Sequence, residues 1–238
     1  MKYIIEHGNI VNYDTDAVVL PANKLLKEGS GTSRAIFSAA GKKQLSSACN
    51  EIGKCEVGMA VPTPGYKLQA NYIIHAVVPK WIDGNHGEYD LLSSAYLSAL
   101  SVADVMQCKS IAFPLLSAGN NGFDKTLALE IARNSIDSFD GKNIETVKIV
   151  ILKEEMVVRI KSMGFEVFES NYNIERNQKK IDRKQKVDSA IAKGAEVALD
   201  IAGDALKRGL EYLKDEKVQK QIISAGIMIA GKVIKSKL

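Results

Sequence analysis

Apolar and polar positions follow two different periods along the first 170 residues. Short apolar runs at Tyr3–Glu6, Ala17–Leu20, Met59–Thr63, Tyr72–Val78, Ser110–Leu116, Val147–Leu152 and Glu166–Phe168 predict strands. Between them, three- and four-residue spacing predicts helices at Arg34–Ala40, Lys42–Gly53, Tyr89–Gln107, Lys125–Phe139 and Glu154–Met163. In the third of these helices Leu92, Ala95, Tyr96, Ala99, Leu100 and Ala103 share one face, which must be buried. The βα alternation predicts an α/β fold with helices covering both faces of a central sheet.

Beyond Ser170 the pattern changes. Residues 171–184 read as a polar linker, and 185–238 as an amphipathic helical extension. Its apolar positions run from Ile191 through Ala195, Leu199, Leu206 and Leu213. Asp215-Glu216-Lys217 interrupts them, and Val218–Ser236 resumes the pattern. The densest part, Ile222–Ile234, is thirteen positions long, whereas a bilayer span needs about twenty. No transmembrane segment is expected. The extension reads as a helical hairpin that packs on the first domain, on a second copy in a homo-oligomer, or on a membrane surface; packing or oligomerisation is the favoured role.

Charge sharpens this division. The chain carries a net +4, but from Tyr172 onward 15 Lys and Arg stand against 9 Asp and Glu, so the basic character belongs to the tail. Acids are interspersed there, which favours a solvated helix face over a nucleic-acid or anionic-lipid site. The opening Met1–His7 reads as a first strand rather than a secretory leader. Cys49, Cys55 and Cys108 are odd in number and widely spaced, which suits free thiols in a reducing, cytoplasmic setting. Neither His75 nor His86 stands in a ligand pattern with them, so no metal is expected. His75, Trp81 and Tyr66 read as packing residues.

Two loops carry the candidate chemistry. Leu20-Pro21-Ala22-Asn23 leads into Gly29-Ser30-Gly31-Thr32-Ser33 and then a helix ending near Gly41. The glycines permit positive φ and close backbone approach, and Thr32 or Ser33 is placed to cap the helix. Free N–H groups at a helix N-terminus favour an anion, most often phosphate. The second loop is Ser117-Ala118-Gly119-Asn120-Asn121-Gly122-Phe123, after which Asp124 can cap another helix. Loops at the carboxyl ends of neighbouring strands face one crevice, so the pair suggests a pyrophosphate clamp.

The order of these motifs resembles the macrodomain family of ADP-ribose-binding proteins, the type that processes ADP-ribose 1''-phosphate, over about Met1–Ser170. The resemblance rests on Gly8-Asn9-Ile10, Asp16–Asn23, the glycine loop with Ala35-Ile36 and Ala39-Ala40-Gly41, and Gly58–Tyr66. It continues through Tyr72-Ile73-Ile74-His75, Ile111-Ala112-Phe113-Pro114 and Ser117-Ala118-Gly119 with Gly122-Phe123. It implies a three-layer α/β/α domain over 1–170 with a mixed central sheet. It also implies that Asn9 and Ile10 meet the adenine edge and that Ala22 and Asn23 lie by the distal ribose. Gly29, Ser30, Gly31, Thr32 and Ser33, with Ser117, Ala118, Gly119, Asn120, Asn121 and Gly122, would surround the two phosphates, and Phe123 would lie near the distal ribose. ADP-ribose is then a ligand, with no separate cofactor.

Asn9 replaces the acidic residue usual in the family, and Asn121 replaces a larger aromatic side chain. Position 33 matters most, because hydrolytic relatives of the best-known class carry Asp in this loop where Thr32-Ser33-Arg34 stands here. A serine hydroxyl is a poor general base at neutral pH. Asn23 and Ser33 are the catalytic candidates, with Lys24, Glu28 and Asp124 as other groups in reach by position. Two functions stay open: a hydrolase acting on ADP-ribosyl or O-acetyl-ADP-ribose linkages, or a non-catalytic reader of ADP-ribose or ADP-ribosylated macromolecules with the tail as a second contact.

Overall fold

The computed structural model describes residues 2–190 and 193. Strands form at β1 (Lys2–His7), β2 (Ala17–Ala22), β3 (Ala60–Pro64), β4 (Tyr72–Val77), β5 (Ser110–Pro114), β6 (Thr146–Ile151) and β7 (Phe168–Glu169). Helices form at α1 (Thr32–Ala40), α2 (Lys42–Ile52), α3 (Glu88–Val105), α4 (Lys125–Ser138) and α5 (Glu154–Ser162). Every element expected over residues 1–170 is present, with ends moved by at most a few residues. The short 3-10 turn Ile10–Asn12 was not foreseen, since three residues are too few to show a period.

The strands form one seven-stranded sheet in the order β3-β4-β2-β5-β6-β1-β7. Only β3 runs antiparallel, against β4, so the sheet is mixed. Because side chains alternate along a strand, each strand feeds two cores. From β2, Ala17 and Val19 join Leu92, Tyr96, Leu100, Leu129 and Ile136 of α3 and α4. Val18, Leu20 and Ala22 point the other way, into a cluster with Ile36 and Phe37 of α1 and Leu45 and Cys49 of α2. Three layers result, with α1 and α2 on one face and α3, α4 and α5 on the other.

The connections after β2 and β5 therefore diverge. These strands are neighbours, yet the chain leaves β2 toward α1 on one face and leaves β5 toward α4 on the opposite face. They pair only through Ala17 with Ile111 and Val18 with Ala112. Past that point they part, and Pro21 and Pro114, which have no N–H to donate, stand where the β2–β5 ladder has already stopped. At the amino end the same strands are stitched together. The Asp16 carboxylate accepts from the N–H of Lys109 at 2.8 Å and of Ser110 at 2.9 Å, and from the Ser110 hydroxyl at 3.0 Å.

Residues 171–190 form a helix, which takes in the segment read as a polar linker. Most of the extension expected as a helical hairpin, and any oligomer contact through it, lies outside the described residues. No helix among the described residues is long and apolar enough to cross a membrane.

Asp16→Ala is expected to leave two backbone N–H groups without their acceptor and to cost about 1–3 kcal/mol of unfolding free energy. Urea unfolding with an unchanged m-value and a lowered midpoint is the check.

Candidate functional site

A crevice of about 760 Å³ opens along the carboxyl edge of the sheet. Five parallel strands end on it. β1 delivers Gly8, Asn9 and Ile10; β2 delivers Pro21, Ala22 and Asn23; β4 delivers Val78 and Lys80; β5 delivers Pro114, Leu115 and Ser117; and β6 delivers Val150–Lys153. Ligands collect at such edges where successive connections leave in opposite directions, as they do at β2 and β5.

The glycine loop enters α1 through Gly31, whose φ of 56° and ψ of −125° suit glycine alone. Thr32 is already the first helical residue, and no side chain caps this end. This corrects the expected capping by Thr32 or Ser33, because the cap position falls one residue earlier on a glycine. The first intrahelical bond runs from the Ala35 N–H to the Gly31 carbonyl, so the N–H groups of Thr32, Ser33 and Arg34 stand at a helix end open to an anion.

Ser33 is 3% exposed, and its hydroxyl oxygen accepts the Gly29 N–H at 3.0 Å. Gly29 therefore spends its donor inside the loop, whereas the resemblance offered it to a phosphate. Asn23 is similarly engaged. Its Oδ1 accepts from Leu25 at 3.2 Å and Lys27 at 3.1 Å, and its Nδ2 donates to the Lys27 carbonyl at 2.7 Å, leaving one amide hydrogen for the crevice.

The second loop is held from beneath. Ser117 sits at φ 59°, a region side chains seldom occupy, and its hydroxyl donates to the Pro79 carbonyl at 2.9 Å. Trp81 donates its N–H to the Asn121 carbonyl at 2.7 Å, and the buried Tyr96 hydroxyl receives the Leu116 N–H at 2.9 Å. Burial raises the Tyr96 pKa, so this phenol stays neutral. Over the crevice the two loops meet where Asn120 Nδ2 donates to Ser30 Oγ at 2.6 Å.

Of the residues anticipated for the ligand, Asn9, Ile10, Ala22, Asn23, Gly29–Ser33 and Ser117–Asn121 all line the crevice. Gly122 and Phe123 do not. Phe123 is buried against Trp81, with ring centroids 5.1 Å apart. Asn9 Oδ1 accepts the Val11 N–H at 3.4 Å as the cap of the 3-10 turn. Sequence reasoning missed the β6 wall of Val150–Lys153 with Met156, and the cations Lys80, Lys125 and Lys153. The carboxyl-edge rule applied to β6 and β4, as it was to β2 and β5, could have found the β6 wall with Lys153, and Lys80.

Among the described residues, the crevice lining contains no carboxylate, histidine or cysteine. Lys24, Glu28 and Asp124 all stand outside it. Lys24 pairs with Glu56 at 2.9 Å, Glu28 with Lys42 at 2.7 Å, and Asp124 caps α4 by accepting from Thr126 and Leu127. His75 lies in the core, 3.0 Å from Thr63 Oγ1, and burial lowers its pKa to about 4, so it is neutral at physiological pH. Beside Trp81, Asp83, His86 and Glu88 bring ligand-type atoms within 4.8 Å of one another. Glu88 is spent as a loop staple, however: Oε1 accepts from Ile82, Asp83 and Gly84, and Oε2 from His86.

The Macro domain family model matches residues 19–132. A macro domain-containing protein of Listeria monocytogenes serotype 4b is 40% identical over 163 residues, which cover 65% of this chain and 92% of that protein. An O-acetyl-ADP-ribose deacetylase of Salmonella gallinarum is 41% identical over 136 residues, 56% of this chain and 75% of its own length. Among solved structures, a mutant of the Oceanobacillus iheyensis macrodomain with ADPR superposes at a TM-score of 0.62 with 29% identity, covering 66% of this chain and 89% of that one.

Burial opposes ionisation of Glu88, but the surrounding backbone N–H donors outweigh it and lower its pKa from 4.5 to about 2. The ionised staple therefore stabilises the fold above pH 4.5, and that contribution drains away as pH falls toward 2. Emission from Trp81, the only tryptophan, is expected to report loosening of the 82–88 loop across this window. In Glu88→Gln, where one acceptor becomes a donor, this pH dependence should flatten.

Proposed function

This chain belongs to the macrodomain family, and from that premise we propose that its crevice binds ADP-ribose, free or carried on a modified macromolecule. The observation that carries the reading is the uncapped N-terminus of α1 set between two loops already bridged by Ser30 and Asn120. A diphosphate there would meet the N–H groups of Thr32, Ser33 and Arg34 and the positive end of the helix dipole. Asn9, Ile10, Val150 and Met156 give the β1 and β6 end an apolar slot with polar edges, suited to adenine. Ala22, Asn23, Val78 and Lys80 give the β2 and β4 end room for the distal ribose.

Among the described residues, the crevice supplies donors and cations but no carboxylate or histidine to take a proton from water at neutral pH. Ser33 has no base within its hydrogen bonds, and its oxygen is committed to Gly29. The reading is therefore a binder or reader, acting in a reducing cytoplasm that suits free, buried Cys49, Cys55 and Cys108. A hydrolytic second reading draws support from the relative named O-acetyl-ADP-ribose deacetylase.

Calorimetric titration with ADP-ribose is expected to give binding about tenfold or more tighter than AMP, because only the former spans both ends and both phosphates. Equal affinities would remove the two-ended reading. Incubation with O-acetyl-ADP-ribose and with ADP-ribosylated protein separates the two functions. The reader predicts no turnover in the native chain and its appearance in Ser33→Asp, whereas turnover by the native chain favours the hydrolase.

A further inference from the structure

The crevice is edged at its β1 end by Gly8, Asn9 and Ile10, and the residues that hold this edge come from the far end of the domain. Gly8 donates its N–H to the Ile151 carbonyl at 2.9 Å. The carbonyl of the same peptide, on His7, accepts two protons: from the Ser170 N–H at 3.0 Å and from Asn173 Nδ2 at 3.1 Å. All three hydrogen bonds fall on one peptide plane, and both lone pairs of its oxygen are used. A side chain on Gly8 would meet the Tyr13 hydroxyl at 2.6 Å and Ser170 Oγ at 2.8 Å. The chain thus turns toward Asn9 through a slot shaped by the 3-10 turn on one side and the start of helix 171–190 on the other. That start is built locally: Ile174 donates to the Ser170 carbonyl at 3.0 Å, Asn173 donates its N–H to Ser170 Oγ at 3.4 Å, and Asn173 Nδ2 also reaches Glu169 at 3.3 Å.

We infer that Asn173, together with Ser170, is a positioning residue for the base-reading edge Asn9–Ile10, so that the first turn of helix 171–190 is part of the layer supporting the ligand site. The inference rests on the ADP-ribose reading above. The Asn173 amide orients the His7–Gly8 peptide without touching the ligand, and the peptide sets the direction in which Asn9 and the Ile10 backbone meet a purine edge. Ligand occupancy and the state of the helix start are then linked. Whatever reorganises Ser170–Ile174 changes affinity in the crevice, and ligand reciprocally steadies that turn.

The test uses the full chain titrated with ADP-ribose and with inosine diphosphate ribose, in which hypoxanthine replaces the adenine amino group by a carbonyl. The unaltered chain should prefer the adenine ligand by about tenfold, as expected of a site that hydrogen-bonds the base edge. Asn173→Ala, and Asn173→Asp, which keeps the size but has no amide proton to give, should each weaken ADP-ribose about fivefold and the inosine ligand far less, collapsing the preference. Tyr172→Ala, at the adjacent exposed position, should change neither. A purely structural role would weaken both ligands equally. That outcome, or unchanged affinities in both Asn173 variants, or an unaltered chain indifferent to the base, overturns the inference while leaving ADP-ribose binding in place. Failure of the unaltered chain to bind ADP-ribose overturns the functional reading on which it depends.

Discussion

The site depends on two strands that are tied at one end and parted at the other. The Asp16 carboxylate holds the starts of β2 and β5 together through three hydrogen bonds, and the ladder between them then lasts for only two register positions. What parts them is topology: α1 must cover one face and α4 the other, so the chain leaves the two strands in opposite directions. A sheet that stayed paired to its edge would have no crevice. One that parted without the Asp16 stitch would hold its loops less firmly, because both loops hang from these two strands.

Much of the polar chemistry that a residue-by-residue comparison assigns to a ligand is used by the protein to hold its own loops. Ser33 ties down Gly29, Asn23 closes the turn to Lys27, and Ser117 secures its strained backbone to Pro79. Asn120 reaches across to Ser30. These bonds lower the cost of ordering the loops when a ligand enters, since much of that order already exists. They also remove acceptors and donors from chemistry. A hydroxyl that accepts a backbone N–H and has no neighbouring base positions well and catalyses poorly, which is the physical ground for favouring recognition over hydrolysis.

The strand and helix order was legible because strand and helix periods differ, and because Gly41, Gly53 and the loops punctuate them. The two glycine-rich loops were legible because each follows a buried strand and precedes a helix, and two such loops together point to one crevice where either alone would read as an ordinary turn. The β6 wall and Lys80, Lys125 and Lys153 were not. Leu152, Lys153 and Met156 look like an ordinary strand end and helix start, and only the parallel register of β6 with β1 brings them beside Asn9. Phe123 shows the converse. The resemblance put it near the distal ribose, but the side chain packs against Trp81, and such a direction follows from the loop's course rather than from the order of residues.

What this sequence determined by itself was local: which segments are strands or helices, and where the backbone needs glycine. Each of these follows from steric and hydrophobic preferences acting over a few neighbouring residues. Tertiary structure alone decided which loop groups hydrogen-bond to the protein itself, which of the described residues line the crevice, and that Ser170 and Asn173 brace the peptide before Asn9. The last of these joins residues more than 150 positions apart. A hydrogen bond is fixed by distance and direction in space, and neither is written in the order of the chain.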